Sequence, residues 1–340
     1  MVSVSRVLAV SLSLLFLATA SPATAASLKE PITMTLIAQQ PGTSFYTHAT
    51  TLSRFMLDVL PKGSEFNVIP RGGSMSNPTA LDQGKGDFAL TQSAAAAWAW
   101  EGLDGVYDKY GKHTNLRYVS IGRMTYNYSP VVARKAYVEK TGNDTLEKVL
   151  NAKDLPRLGM KPQGSIVIPI FTEVFKAYGT TFDKYRQAGK ISQAQPSQIG
   201  EMLRDGRVDV YFENIALHHP AFTEVALTNE LVYLPMSPKA LDHMARLGMP
   251  PSAMPKGSFN GLQFEYDVPT TSTVILAHKD ANEEAVYLMT KSIIERHKEL
   301  LEENPMFNEW DPVNDHDRTG IAVPLHPGAE RYYREIGWVK

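Results

Sequence analysis

The sequence predicts an α/β protein built as two similar lobes, and three observations carry that prediction. Runs of apolar and β-branched residues alternate with helical apolar stripes along most of the chain, the pattern of mixed sheets flanked by helices. A small device occurs twice. Gly42-Thr43 stands as far ahead of Leu81-x-x-Gly84-x-x-Asp87 as Gly164-Ser165 does of Leu203-x-x-Gly206-x-x-Asp209, with the copies 122 positions apart (Gly42 to Gly164). The length, 340 residues, suits about two domains.

Residues 1–25 read as a signal peptide. Arg6 supplies the positive start, Val7 to Thr19 is largely apolar, and Ala23-Thr24-Ala25 is a small-residue cleavage site. No later stretch reaches the ~18–20 apolar residues of a membrane-spanning helix. An exported, periplasmic protein is expected, cut near Ala25.

Ile32 to Ala38 reads as a buried strand, and Pro41-Gly42-Thr43-Ser44 as a turn with an N-cap. Leu52, Phe55, Met56, Val59 and Leu60 follow at helical spacing, ended by Pro61. Phe66 to Pro70 is a second strand, Arg71-Gly72-Gly73-Ser74 a second turn, and Asn77 to Asp82 a short helix stopped by Gly84. The second half repeats this order. Leu158 to Met160 ends a strand, Lys161 to Ser165 is the turn, and Val167 to Tyr178 carries a helical stripe. Gln198 to Arg204 is the short helix and Val208 to Phe212 the next strand. Pro235 to Tyr266 is rich in Pro, Gly and Met and reads as irregular. Val274 to Ala277 is a strand, and Glu283 to Glu303 one long amphipathic helix that packs back on the first lobe. The lobes are expected at residues 27–130 plus 275–340 and at residues 131–274. The crossings fall at Pro130 to Ala133 and Pro269 to Val274, and two crossings make a hinge.

Composition narrows the chemistry. There is no cysteine, which excludes disulfides, thiolate metal sites and cysteine catalysis. A net charge of -2 provides no basic field for nucleic acid or an anionic membrane. No Gly-x-Ser-x-Gly turn, phosphate loop or Gly-x-Gly-x-x-Gly is present. His218-His219 cannot place both rings on one helical face and reads as a loop. Asp311, Asn314, Asp315 and Asp317 have the wrong spacing for a calcium loop. No catalytic residue, no metal and no cofactor are expected, so the chain reads as a binder and not an enzyme.

The repeated turn is suited to binding. The first N–H groups of a helix lack internal partners and carry a partial positive charge, so they accept a carboxylate without Lys or Arg. Glycine permits close approach, and the following hydroxyl caps the helix or meets a ligand. Candidate ligand-binding residues are therefore Gly42, Thr43, Ser44, Arg71, Gly73, Ser74, Gly164 and Ser165. Arg123 is a further source of positive charge. Gln92 and Asn214 end apolar strands and are expected to face the cleft, with Tyr46, Tyr126 and Tyr211 as aromatic walls. Glu213 is expected to be exposed or to meet a positive partner, and facing the cleft it would hold a ligand ammonium.

The tail Pro324-Leu325-His326-Pro327-Gly328-Ala329-Glu330-Arg331-Tyr332-Tyr333 resembles the closing motif of the TAXI family, the TRAP-associated extracytoplasmic solute receptors. The resemblance continues through Val268-Pro269-Thr270, Tyr287-x-x-Thr290-Lys291, Gly206-x-Val208-Asp209 and Gly72-Gly73-Ser74-x-x-Asn77. It implies a periplasmic-binding-protein (type II-like) fold of two α/β lobes around a cleft. It also implies delivery of glutamate, glutamine or a dicarboxylate such as 2-oxoglutarate to a sodium-coupled TRAP permease. By motif position it places ligand-facing residues at Thr43, Ser44, Tyr46, Gly73, Ser74, Gln92, Ser93, Gln163, Gly164 and Ser165. The expected partners are a small carboxylate and the membrane permease, with the receptor a monomer. A periplasmic sensor subunit of a membrane signalling system is the alternative, and an exported enzyme a third reading.

Overall fold

The computed structural model describes residues 28–103, 105–107, 111–120, 124–307, 310–312 and 323–340. The expected signal peptide, Arg123, Asn314, Asp315 and Asp317 lie outside the described residues.

Lobe one starts with β1 (Thr33–Ile37), α1 (Ser44–Val59), β2 (Glu65–Ile69), α2 (Asn77–Asp82), β3 (Phe88–Gln92), α3 (Ser93–Glu101), β4 (Leu116–Tyr118) and β5 (Thr125–Tyr128). Lobe two follows with β6 (Val131–Arg134), α4 (Lys135–Thr141), α5 (Leu146–Leu150), β7 (Leu158–Met160), α6 (Val167–Ala177), α7 (Phe182–Gln187) and β8 (Ile191–Gln193). It continues with α8 (Pro196–Arg204), β9 (Val210–Phe212), α9 (Pro220–Thr228), β10 (Leu231–Tyr233), α10 (Pro238–Arg246) and β11 (Pro251–Met254). The chain returns to lobe one through β12 (Tyr266–His278), α11 (Glu283–Glu295), α12 (His297–Glu303) and α13 (Pro327–Glu335).

The two sheets repeat one plan. In lobe one β2, β1 and β3 are parallel, and the antiparallel β12 lies beyond β3. In lobe two β8, β7 and β9 are parallel, and the antiparallel β6 lies beyond β9. The same side chain ties each trio. Asp87 Oδ2 accepts from Thr35 N at 2.8 Å, and Asp209 Oδ2 accepts from Arg157 N at 3.0 Å, each bond spanning 52 residues. The environments differ. Burial raises the Asp87 carboxyl above its usual range. Burial also pushes at Asp209, but the Arg157 guanidinium (2.6 Å) and Arg134 (3.1 Å) outweigh it and hold that carboxyl below its usual range.

Two segments cross between lobes. The first runs from β5 through Ser129-Pro130 into β6, and Tyr128 bridges Ile215 of lobe two on the way. The second is β12, which pairs β11 over Tyr266–Pro269, β5 over Thr270–Thr273 and β3 over Thr273–Ala277. The expected strand Val274 to Ala277 is thus the end of a strand of 13 residues.

Two expectations fail. Pro235 to Tyr266 is not wholly irregular, since it contains α10 and β11. Ser237 caps α10 by accepting from Ala240 N, and Pro238 occupies its first turn, where a missing N–H is harmless. The Pro residues read as breakers are partly helix starters. The helix expected over Glu283 to Glu303 breaks at Arg296 (φ -102, ψ 22) into α11 and α12. There the guanidinium lies 4.2 Å over the Phe55 ring and 3.0 Å from Asp58, so contacts to α1 replace helical continuity. The tail is structural. Tyr118 N donates to Pro324 O at 2.8 Å, and Tyr333 OH to Val119 O at 3.0 Å.

Candidate functional site

The loops after the parallel strands of both lobes enclose a cavity of about 140 Å³. Lobe one contributes Gln39, Gln40, Gly42, Thr43, Ser44 and Gly72. Lobe two contributes Lys161, Pro162, Gln163, Gly164, Ser165, Gln195, Pro196, His219 and Ala221. Four helices, α1, α6, α8 and α9, bring their N-terminal ends to this lining. Among the described residues no carboxylate lines it.

The local sequence accounts for the geometry. Gly42 (φ 86) and Gly164 (φ 90) both take a left-handed conformation that a Cβ disfavours, and the chain turns there from strand to helix. Thr43 Oγ1 accepts from Tyr46 N at 3.4 Å and donates to Gln40 O at 2.8 Å, so it caps α1 while lining the cavity. Ser165 Oγ accepts from Val167 N at 3.3 Å at the start of α6. On lobe one, the buried Asn77 holds the lip of the cleft. Its Oδ1 accepts from Gly73 N at 2.9 Å, and its Nδ2 donates to Ala38 O at 2.7 Å and Leu90 O at 2.8 Å. The lobes touch at this lip. Met75 N donates to Gly164 O at 3.4 Å, and a Cβ on Gly73 would stand 2.8 Å from that oxygen.

A polar network lies behind the cavity. Glu213 is fully buried, and Lys161 Nζ lies 2.7 Å from its Oε1. That oxygen also accepts from Asn214 N at 2.7 Å, and Oε2 accepts from Tyr211 OH. Lys161 Nζ donates further to Asn214 O at 3.4 Å. Gln92 Nε2 donates to Asn214 Oδ1 at 2.7 Å, and these two strand-end amides, 122 residues apart, join the lobes. Asn214 Nδ2 donates in turn to Ser129 Oγ at 3.0 Å on the first crossing. Ser93 Oγ lies 2.9 Å from Thr271 Oγ1 on the second. His219 Nδ1 accepts from Ala221 N at 3.2 Å, so the neutral ring carries its proton on Nε2. Burial, helped by the Lys161 charge, lowers this histidine to about 4.

Of the residues expected from sequence, Gly42, Thr43, Ser44, Gln163, Gly164 and Ser165 line the cavity. Gly73 and Ser74 form the lip. Gln92, Ser93, Tyr211, Glu213 and Asn214 belong to the network behind. Glu213 has Lys161 as its positive partner. Tyr126 stacks on Tyr128 at 6.3 Å, Tyr46 is half-buried on α1, and Arg71 is exposed; none of these three lines the cavity.

Sequence reasoning missed Gln39, Gln40, Lys161, Gln195 and His219. The repeat register held a signal for two of them, because Lys161 is the counterpart of Gln39 and Gln195 that of Gly73 at the same 122-residue offset seen between Gln92 and Asn214.

Residues 38–337 match the NMT1-like family. The chain belongs to that family. Solved structures similar to this NMT1-like chain include the periplasmic aliphatic sulphonate binding protein SsuA from Escherichia coli, at 11% identity and a TM-score of 0.43, covering 90% of this chain and 84% of that one. Another is a TRAP periplasmic solute binding protein from Pseudomonas aeruginosa with bound L-malate, at 11% identity and a TM-score of 0.44, covering 91% and 98%. A third is an amino acid ABC transporter substrate-binding protein from Streptococcus pneumoniae bound to L-arginine, at 12% identity and a TM-score of 0.43, covering 84% and 93%.

Proposed function

We propose that this protein is an extracytoplasmic solute-binding receptor that captures a small organic anion between its lobes and delivers it to a membrane permease. One observation carries the reading: both lobes line a single cavity with helix N-termini and hydroxyls, and among the described residues no carboxylate lines it. Helix starts, hydroxyls and a lysine together favour negative charge, and closure removes the water that would screen it. The volume, about 140 Å³, is below the roughly 300–1,000 Å³ of pockets for drug-sized ligands, so the solute is small. The closing motif Pro324 to Tyr333 supports a TAXI-type receptor and hence a TRAP permease as the partner.

A thermal-shift screen of carboxylates, amino acids, sugars and amines tests the proposal. An organic anion at about 100 times its dissociation constant adds about 2.7 kcal/mol of stability. A melting temperature moved only by neutral or cationic solutes would rule out an anion site.

A further inference from the structure

The inference concerns which anion the cavity takes, and it rests on the proposed reading of that cavity as the ligand site. We propose that the site selects carboxylates that carry no ammonium group, such as keto acids and dicarboxylates, over the matching amino acids, and that Lys161 sets this selectivity.

An amino acid needs two opposite receptors, donors for its carboxylate and a negative or strongly accepting group for its ammonium. Among the described residues the only carboxylate in the network is Glu213, and both of its oxygens are occupied. Oε1 takes Lys161 Nζ at 2.7 Å and Asn214 N at 2.7 Å, and Oε2 takes the Tyr211 hydroxyl. Glu213 has no exposed surface and is not among the lining residues, whereas its partner Lys161 is.

A ligand ammonium would therefore meet Lys161, a like charge, before it met Glu213. Lys161 has three N–H donors. Two are accounted for by Glu213 and by Asn214 O at 3.4 Å, which leaves one for a ligand. His219 adds a neutral Nε2–H, because its Nδ1 accepts from Ala221 N. The remaining side-chain acceptors in the lining are neutral glutamine amides and hydroxyl oxygens, and the backbone carbonyls beside them are neutral too. The wall is rich in donors and has no anion for a cationic group to pair with.

Glu213 is then a positioning residue. It holds the Lys161 ammonium and neutralises it, so that the empty site does not bury a lone charge.

The test is calorimetric titration of the intact protein with 2-oxoglutarate, glutarate and glutamate, which share a carbon skeleton and differ at the amine position. The two acids without an amine are expected to bind at least tenfold tighter than glutamate. The double variant Lys161→Met/Glu213→Gln removes the charge pair without leaving Glu213 unpaired, and in it the ratio should collapse toward one. Glutamate binding as tightly as its amine-free analogues would overturn the selectivity while leaving the anion site intact. An unchanged ratio in the double variant would remove Lys161 as its source. Failure of every organic anion to bind would overturn the anion reading, and this inference with it.

Discussion

Asn77 offers a clear test of how the cleft lip is held. Asn77→Ala removes three hydrogen bonds at once. Gly73 N loses its acceptor, and the carbonyls of Ala38, just after β1, and Leu90, within β3, lose a donor. A buried donor left unsatisfied costs about 1–3 kcal/mol, and each lost carbonyl partner about 1 kcal/mol net, because a carbonyl keeps a second lone pair. The sum is about 3–5 kcal/mol, a large part of the ~5–15 kcal/mol that holds a domain folded. Asn77→Asp is the sharper variant. It keeps the acceptor for Gly73 N but turns the donor into an oxygen facing two carbonyls. Near neutral pH it should be less stable than the Ala variant, and it should recover as the pH falls and the carboxyl protonates. Urea unfolding at constant m-value reads both. A loss below about 1 kcal/mol for Ala, or an Asp variant more stable than Ala at pH 7, would refute the account of the lip.

Three further outcomes follow from the same structure. Gly73→Ala places a Cβ 2.8 Å from Gly164 O, so the lobes cannot approach as closely; overpacking of about 1–3 kcal/mol should weaken anion affinity by roughly fivefold or more, read by calorimetry, and an unchanged affinity would contradict the closed contact. Lys161→Met leaves the buried Glu213 unpaired and should cost about 3–5 kcal/mol of stability, with much of it regained when Glu213→Gln is added; a loss under about 1 kcal/mol, as for an exposed pair, would argue against a buried one. His219 is held at about 4, below its ordinary 6.5, so it contributes stability that is present above 6.5 and is lost as the pH falls toward 4. His219→Asn keeps a capping acceptor, and its unfolding free energy should fall less steeply in that window, by up to about 1.4 kcal/mol per pH unit; parallel curves would count against the neutral ring.

The sequence foretold the lobes because the repeat preserves what the backbone requires. Gly42 and Gly164 need left-handed backbone, Asp87 and Asp209 stitch equivalent strands, and both requirements leave visible residues. The cavity-lining loops were legible for the same reason. What was hidden is chemistry that differs between copies. Gln39 and Lys161 occupy one position, yet their side chains share nothing, so only the register relates them. The partner of Glu213 could not be named, because charge pairing depends on how β7 and β9 lie side by side. The pair His218-His219 looks symmetrical in sequence. In the fold one ring is exposed and the other is buried as the cap of α9. The break at Arg296 is likewise tertiary, since Phe55 and Asp58 are remote in the chain and invisible to helical periodicity.

The long strand β12 has a consequence for how the protein is assembled during synthesis. Apart from β12 and its neighbours, the parallel core of lobe two is drawn from one continuous stretch, so it can condense as soon as that stretch emerges. Lobe one cannot. Its strand β3 keeps an open edge until Thr273–Ala277 arrives, after the whole of lobe two has been made. Closing that distant pairing carries a large loop entropy, and an uncovered apolar edge invites association in the meantime. Pulse-labelled hydrogen exchange during refolding should therefore protect β7 and β9 before β3. The cavity between the lobes, which needs both, is the last part of the molecule to exist.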